Sequence, residues 1–216
     1  MNSDAAGATA AAAAHLVGAA RRAIAERNHA HLAFSGGATG TILYRALALE
    51  SLDWPRVSVW QVDERVAPDG DPLRNATSLR AELLDHVAIP ERNVHLMDAA
   101  ASDLAAAAHA YAEALPQLDV VHLGLGADGH TASWPPGQPE VRTAPSRVTV
   151  TQPFNGQRRM TLTASGIAEA RLVLWLVCGA DKRDALRRVL AGDLALPATH
   201  ALDERSVLFV DEAAAG

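Results

Sequence analysis

The sequence predicts a single-domain α/β protein with an open, mostly parallel sheet of the Rossmann-like type, helices on both faces and a small β-hairpin elaboration. Two observations predict this class. Short runs rich in valine and leucine alternate along the chain with segments whose apolar residues recur at helical spacing. These runs are almost continuously apolar, which is typical of parallel strands buried on both faces. Because no internal repeat or linker interrupts the pattern, we expect one domain over residues 1–216.

Each element has a local signal. The alanine-rich N-terminal segment predicts a helix that ends near residue 28 and is capped by Ser3 or Asp4. Further helices are expected at residues 41–50, 75–87 (capped by Asn75 or Thr77), 100–118 and 181–192, with a short one opening at Ser165. Strands are expected at residues 31–34, 56–65, 93–97, 119–126, 171–179 and 206–212. Two further β-like runs, 147–152 and 158–163, flank a turn and predict the hairpin.

Composition excludes several classes of protein. The net charge is −6 with acidic and basic residues mixed along the chain, which argues against a nucleic-acid partner. The single cysteine, Cys178, cannot form an internal disulfide and fits a reducing cytoplasm. The N-terminus lacks the basic start of a signal peptide, and no apolar stretch is long enough to span a membrane. We therefore expect a cytoplasmic protein, and a monomer because no spare apolar stripe stands out.

Chemistry-bearing residues follow four of the predicted strands. In open parallel sheets, ligands bind beyond the carboxyl ends of the strands, so residues scattered in sequence converge there. The first such segment, SGGATG at residues 35–40, precedes a helix and offers free backbone N–H groups to an anion. It matches neither the dinucleotide-binding glycine pattern nor the P-loop. A small phosphorylated ligand is therefore plausible, and a tight turn that merely needs glycine is the alternative.

The second segment, Asp63 to Arg65, ends a buried strand. An arginine beside an aspartate can keep the carboxylate charged at a site, whereas the alternative is a salt bridge at the sheet rim. The same three residues recur at Asp203 to Arg205, but there they precede a strand, so we interpret them as surface.

The third segment, Asp128-Gly129-His130, carries the sharpest signal. Histidine titrates near neutral pH and can act as a general base, and Asp128 could fix its tautomer. The alternative is an aspartate that caps a short helix beside a surface histidine. The other histidines lack such a setting, and without an HxH, HExxH or Cys/His cluster we expect no metal site.

Basic residues complete the candidate site. Lys182 follows a strand-end glycine and could neutralise a phosphate, although an exposed lysine is the simpler interpretation. Arg158 and Arg159 begin a strand, and because side chains alternate along a strand, one faces the ligand and the other faces away.

Taken together, these segments resemble the 6-phosphogluconolactonase family within the sugar-phosphate isomerase/deaminase superfamily. The resemblance is carried by residues 35–40, 59–80, 122–137, 158–163 and 178–186, in that order. The stretch GLGADGHTAS at 124–133 is the most specific part. Related deaminases share its core but continue with Ile-Ala-Phe-Asn, where this chain has Thr131, Ala132 and Ser133.

The resemblance implies metal-independent hydrolysis of 6-phospho-D-glucono-1,5-lactone, a step of the oxidative pentose phosphate pathway, without an organic cofactor. His130 would be the general base, oriented by Asp128, with Asp63 and Arg65 in the same pocket. The phosphate would lie against the glycine segment and be bound by further cations. Ser35, Gly36, Gly37, Thr39, Arg158 and Lys182 are the expected phosphate-binding residues.

The chain departs from the family pattern at Gly40, Arg74, Trp134 and Pro135, where proline, serine, leucine and phenylalanine are usual. The change at Trp134 and Pro135 is next to His130, so we expect it to reshape the mouth of the pocket. Two alternatives remain: an amino-sugar-phosphate isomerase/deaminase with Asp63 as its base, and a non-catalytic sugar-phosphate sensor. The residues after His130 argue against the first, and the lack of room for a helix-turn-helix before residue 31 argues against the second.

Overall fold

The computed structural model describes residues 4–216, and its core is a six-stranded parallel sheet. The strands of the chain are β1 Ala30–Phe34, β2 Val57–Gln61, β3 Asp63–Arg65, β4 Val94–His95, β5 Val120–Leu123, β6 Val148–Val150, β7 Arg159–Leu162, β8 Leu172–Val177 and β9 Ser206–Val210. The large sheet has the order β4-β2-β1-β5-β8-β9, and every neighbouring pair is parallel. The predicted open, parallel α/β sheet is confirmed.

Helices cover both faces of this sheet. They are α1 Ala5–Arg27, α2 Gly37–Ala48, α3 Asn75–Glu82, α4 Leu104–Ala114, α5 Pro139–Arg142, α6 Ala164–Ala168, α7 Arg183–Leu190 and α8 Glu212–Ala215. One core joins α1, α2 and α3 to the sheet through residues such as Leu16, Leu43 and Leu79. A second core joins α4 and α7 to the other face, for example through Tyr111 and Leu186.

A second, three-stranded antiparallel sheet contains the predicted hairpin, β6 and β7, with β3 as a third strand. The prediction of one strand over residues 56–65 was wrong, because the chain leaves the large sheet at Val62. The N–H of Val62 donates to the Phe34 carbonyl (2.9 Å), and the Val62 carbonyl accepts from the N–H of Leu162 (2.8 Å). One residue thereby joins the two sheets and directs Asp63 and Arg65 into the smaller one.

The predicted cap of α1 is confirmed at Asp4, whereas the starts of α2 and α3 differ from prediction. Asp4 caps α1 by accepting from the N–H of Gly7 (2.8 Å), while Ser3 lies outside the described residues. The α2 helix begins at Gly37, within the glycine segment. Neither Asn75 nor Thr77 caps α3: its N-cap is Arg74, and the first N–H groups bind a distant carboxylate, that of Glu64.

The strand order places a switch point between β1 and β5. From β1 the chain builds the sheet outward through β2 and β4, and from β5 it builds the opposite half through β8 and β9. Ligands of open α/β sheets bind in the crevice beyond the carboxyl ends at such a point. The glycine segment follows β1 and the Asp128–His130 segment follows β5, so both lie at this crevice. In residues 4–216, no helix is both long and apolar enough to cross a membrane.

We expect His122, in β5, to make the stability of the protein depend on pH. It is fully buried, and its ring nitrogens have no hydrogen-bond partner in the part of the chain that the structure describes. Burial lowers the pKa of His122 to about 4. Between that value and the ordinary 6.5, the unfolded chain binds a proton that the native state does not, so stability is lost as the pH falls.

His122→Leu is expected to reduce this pH dependence, because it replaces the buried imidazole with an apolar group of similar volume. On going from pH 7.5 to 5, the wild-type free energy of unfolding should fall by about 2 kcal/mol more than that of the variant. Denaturant titrations at both pH values measure the difference, with the exposed His109→Leu as control. Equal pH dependence in wild type and His122→Leu would contradict the assignment.

Candidate functional site

A cleft of about 310 Å³ opens at the switch point. Residues from both sheets and from four strand ends line it: Ser35, Gly36, Gly37, Ala38, Thr39, Asp63, Arg65, Asn75, Gly124, Leu125, Gly126, His130, Thr131, Ala132, Arg159, Cys178, Asp181 and Lys182. A larger groove of about 650 Å³ at the end of α1 lacks these strand-end residues and is lined by Arg21, residues 24–28, residues 51–53 and Arg56. The smaller cleft therefore contains residues from all four strand-end segments that the sequence predicts to form a site.

The first turn of α2 forms one wall of the cleft. Gly36 precedes the helix, and Gly37 has φ 76°, a backbone conformation that favours glycine. A Cβ on Gly36 would lie 2.2 Å from Asn75 Oδ1, so the close approach of this loop to α3 also requires glycine. Thr39 lines the cleft on the same turn. Free N–H groups and the positive end of the helix dipole make this wall suited to an anion.

The departure at Gly40 lies behind this wall. A Cβ there would approach the carbonyl oxygen of Ser35 to 2.4 Å, so glycine lets α2 pack closely on the preceding loop. The same carbonyl accepts from the Tyr44 hydroxyl at 2.9 Å, which fixes the loop from inside the core. Gly40 therefore belongs to the support of the anion-binding wall.

The loop after β5 holds Asp128 and His130 in contact. His130 Nδ1 lies 2.5 Å from Asp128 Oδ1, which also accepts from the backbone N–H of His130 (3.1 Å). Burial alone would raise the pKa of Asp128, but its hydrogen bond to His130 and the charge interaction outweigh burial and hold it below the ordinary value. When Nδ1 of His130 donates its hydrogen bond to the Asp128 carboxylate, the lone pair of Nε2 is free to accept a proton.

Gly126 makes this contact possible. A Cβ at Gly126 would lie 2.0 Å from His130 Nδ1 and 2.6 Å from Asp128 Oδ1. Its backbone closes the loop, since the N–H of Gly126 donates to the His130 carbonyl (2.8 Å) and its own carbonyl accepts from Gly129 (2.9 Å). The contact between Asp128 and His130 therefore requires a residue without a side chain at position 126.

Gly126→Ala is expected to separate Asp128 from His130 and to lower kcat by about 10²-fold, since displacements near 1 Å cost that much in catalysis. Steady-state kinetics measures the loss, with Gly18→Ala in α1 as the control: a Cβ there would lie 3.7 Å from the Arg22 guanidinium, an ordinary contact, and Gly18 does not line the cleft. A wild-type kcat in Gly126→Ala would show that catalysis does not depend on the close contact between Asp128 and His130.

Asp63 is buried beside two arginines. Its Oδ2 accepts from the Ser133 hydroxyl at 2.6 Å, and Arg159 Nη1 lies 3.5 Å from the same hydroxyl. Burial raises the pKa of Asp63, although the Ser133 hydrogen bond and the charge of Arg159 act in the opposite direction. Arg65 lines the cleft and is held from outside by a hydrogen bond to the Leu73 carbonyl.

The prediction that Arg158 binds the phosphate was wrong. Of the two neighbouring arginines, Arg159 lines the cleft and Arg158 does not. In the β3–β7 pair, Arg65 lies opposite Arg159 and Asp63 opposite Thr161. Directly opposite residues project from the same face of a sheet, so these residues share the cleft side. Arg158 lies on the other side, where it is exposed and its Nε donates to the Thr151 carbonyl (3.3 Å).

Lys182 lies at the end of β8, where it was expected, and its Nζ forms an ion pair with Asp181 at 2.9 Å. Both line the cleft, and only 22% of the Lys182 side chain is exposed. The hydrogen bond from Lys182 holds the pKa of Asp181 below its ordinary value. Lys182 therefore places a positive charge in the same cleft as the first turn of α2.

The sequence analysis did not identify Asn75 or Glu64 as residues of the site. Asn75 lines the cleft, and its Nδ2 donates to the Asp63 carbonyl (2.8 Å). Glu64 is fully buried and accepts from the N–H groups of Arg65 and Asn75 (both 2.7 Å), from that of Ala76 (2.8 Å) and from Gln61 Nε2 (2.9 Å). For Glu64, the only signal in the sequence was a charged residue at the end of a buried strand.

The structure also shows where the other three departures lie. Arg74 is buried and forms ion pairs with Glu64 (3.4 Å) and Asp69. Trp134 is 1% exposed and its Nε1 donates to the Leu162 carbonyl at 2.7 Å. Neither Trp134 nor Pro135 lines the cleft, so the expectation that they reshape its mouth was wrong. The indole ties the loop after His130 to β7 from the core.

The arrangement joins two chemical capacities in one cleft. The α2 turn and Lys182 can hold a dianionic group, while His130 with Asp128 can take up a proton. Arg65 and Arg159 supply positive charge near the base. Over residues 4–216, no group of three or more His, Cys, Asp or Glu side chains is placed to hold a metal ion.

Comparisons with known proteins agree with this site. Residues 3–210 match the family model described as glucosamine-6-phosphate isomerases/6-phosphogluconolactonase. A 6-phosphogluconolactonase of Synechocystis sp. is 40% identical over 181 residues, which cover 79% of this chain and 75% of the relative. The crystal structure of 6-phosphogluconolactonase from Thermotoga maritima has a TM-score of 0.86 at 28% identity, with 93% of each chain covered.

A monomeric glucosamine-6-phosphate deaminase also shares the fold, with a TM-score of 0.85, 21% identity and coverage of 100% of this chain and 99% of that one. At that identity the likeness concerns the fold alone. The family match spans nearly the whole described chain and includes every cleft residue named above. This chain therefore belongs to the glucosamine-6-phosphate isomerase/6-phosphogluconolactonase family.

Proposed function

We infer that this protein hydrolyses 6-phospho-D-glucono-1,5-lactone to 6-phospho-D-gluconate, a step of the oxidative pentose phosphate pathway. The observation that carries this inference is the contact of Asp128 with His130, because His130 lines the same cleft as the first turn of α2. That combination suits a neutral, hydrolysable group at one end of a substrate and a phosphate at the other. The 6-phosphogluconolactonases among the relatives support the choice of substrate.

The phosphate is proposed to bind at the first turn of α2. Backbone N–H groups from Gly37 onward and the Thr39 hydroxyl would donate to its oxygens, with Ser35 and Gly36 shaping the loop. Lys182, which lines the same cleft, would supply a counter-charge from the end of β8. Each hydrogen bond to a charged group contributes roughly 1.5–3 kcal/mol, which fixes the orientation of the sugar ring in the cleft.

His130 is proposed to act first as general base and then as general acid. Its Nε2 takes a proton from water as the water oxygen bonds to C1 of the lactone, and the carbonyl π electrons move to the carbonyl oxygen. When the tetrahedral intermediate collapses, the bond from C1 to the ring oxygen breaks and His130 returns the proton to that oxygen. Arg65 and Arg159 would stabilise the negative oxygen of the intermediate.

Asp128 and Asp63 have supporting roles in this proposal. Asp128 holds the imidazole in the tautomer that leaves Nε2 free and stabilises the imidazolium that forms. Asp63, whose Oδ2 is bound by Ser133, keeps the nearby Arg159 in place. The isomerase/deaminase alternative would instead need Asp63 as the base, and its hydrogen bond to Ser133 leaves it less available for that task.

The remaining features of the proposal concern the protein's setting. We propose a cytoplasmic monomer that works without a metal or an organic cofactor and does not bind nucleic acid. The single cysteine supports a reducing compartment, and the mixed charge distribution supports the lack of a nucleic-acid partner.

A paired assay tests the function. The lactone is generated from glucose 6-phosphate by its dehydrogenase, and its disappearance is compared with the spontaneous rate, with and without a chelator. Ammonia release from glucosamine 6-phosphate is measured in parallel. We expect accelerated lactone opening that the chelator leaves unchanged, and no ammonia release. Ammonia release without lactone opening would favour the deaminase alternative, and inactivity in both assays would favour a sensor.

A further inference from the structure

The phenyl ring of Phe154 contacts two cleft residues that come from different parts of the chain. Its centroid lies 5.3 Å from that of the His130 imidazole, with 77° between the ring planes. The guanidinium carbon of Arg159 lies over the same ring, 5.0 Å from its centroid. His130 is on the loop after β5 and Arg159 is on β7, so one aromatic ring connects the proposed base to a proposed substrate-binding cation.

A tight hairpin turn holds this ring in place. The N–H of Phe154 donates to the Gln157 carbonyl (2.8 Å), and the N–H of Gln157 donates back (3.3 Å). Asn155 and Gly156 between them have φ values of 51° and 80°, the pattern of a two-residue type I′ turn that Asn-Gly favours. Below the turn, the N–H of Thr151 donates to the Arg159 carbonyl at 2.8 Å. The position of Phe154 is therefore set by the backbone of the hairpin.

The chemistry of the two neighbours gives the ring a role. Arg159 is only 8% exposed, and its Nε has no hydrogen-bond partner among residues 4–216. Burial lowers the pKa of Arg159, whereas the charge of Asp63 acts to raise it. An aromatic ring next to a guanidinium is favourable, more so when water is excluded. His130 becomes a cation when it accepts a proton, and the same ring is in contact with it.

We propose that Phe154 is a positioning residue for the lactone hydrolysis inferred above, on which this proposal rests. Its ring fixes the His130 imidazole and the Arg159 guanidinium relative to each other across the cleft. Active sites require their groups to be held within about 0.5 Å of the productive geometry, and packed side chains are one means of doing so. Phe154 itself does not line the cleft, so it acts through its neighbours.

Substitutions at residue 154 test the proposal. In Phe154→Ala, kcat is expected to fall about tenfold while KM changes by less than about threefold, because the groups remain but are less well placed. Phe154→Tyr keeps the ring and should retain at least about half of the wild-type kcat. Gln152→Ala, at an exposed position of the same hairpin, is the matched control and should match wild type. If Phe154→Ala does not fold, Phe154→Leu replaces it and is expected to show the same loss.

A wild-type kcat in Phe154→Ala would overturn the proposal. So would a loss of kcat in Phe154→Tyr as large as that in Phe154→Ala. A second readout does not need the reaction. In NMR spectra, the ring-proton resonances of His130 should move when the phenyl ring is removed and stay in place in Gln152→Ala. If the wild-type protein does not open the lactone, that result refutes the proposed function, whatever the variants show. Unmoved His130 resonances in Phe154→Ala would independently refute the positioning role.

Discussion

His130→Ala is expected to lower kcat for lactone opening by ~10²–10⁴-fold, the usual contribution of general acid–base catalysis. The alanine removes the group that accepts the proton of the attacking water. The phosphate-binding wall at α2 and Lys182 is unaffected, so KM should change little. Initial rates with the lactone generated in place, corrected for the spontaneous rate, measure the effect.

The matched control for this prediction is His109→Ala. His109 is an exposed histidine in α4, which packs on the sheet away from the cleft, and its replacement should leave kcat unchanged. A His130→Ala protein that retains more than about a tenth of the wild-type kcat would show that another group activates the water.

Glu64→Gln is expected to destabilise the protein by about 3 kcal/mol, since disrupting a buried, paired carboxylate leaves its donors without an acceptor. The carboxylate accepts four hydrogen bonds, three of them from backbone N–H groups, and lies 3.4 Å from Arg74 Nε. A glutamine has the same shape, but its NH₂ group would face two donors. Denaturant unfolding at neutral pH measures the loss.

The control for Glu64→Gln is Glu113→Gln, the same substitution at an exposed position of α4. It should change the free energy of unfolding by less than about 0.5 kcal/mol. Equal stability of Glu64→Gln and wild type would mean that the carboxylate is not needed to start α3, and that the placement of Asn75 and Arg65 has another cause.

The parallel sheet and the convergence of the strand ends could be predicted because they depend on local patterns. Continuous apolar runs identify buried strands, and the switch-point rule then brings Ser35–Thr39, Asp63, His130 and Lys182 to one edge. The contact between Asp128 and His130 could not be predicted from their spacing, because it depends on the closure of the loop around Gly126.

The errors share one physical origin, which is pairing between distant segments. Alternation predicts that either Arg158 or Arg159 faces the ligand, but the choice is made by β3, which pairs Arg65 with Arg159. Likewise, the first N–H groups of α3 donate to the carboxylate of Glu64, eleven residues before Asn75, and not to a neighbouring side chain. Trp134 can be buried in the core because the Leu162 carbonyl accepts its N–H, and nothing near Trp134 in the sequence indicates this partner.

The central claim is that one cleft combines a phosphate-binding wall with a proton-accepting histidine. Comparing kcat/KM for 6-phospho-D-glucono-1,5-lactone with that for the same lactone without its phosphate tests this most directly. Loss of two or more charged hydrogen bonds at α2 and Lys182 predicts a value lower by ~10²-fold or more for the unphosphorylated lactone. Equal kcat/KM for the two lactones would contradict the assignment of the α2 wall to the phosphate.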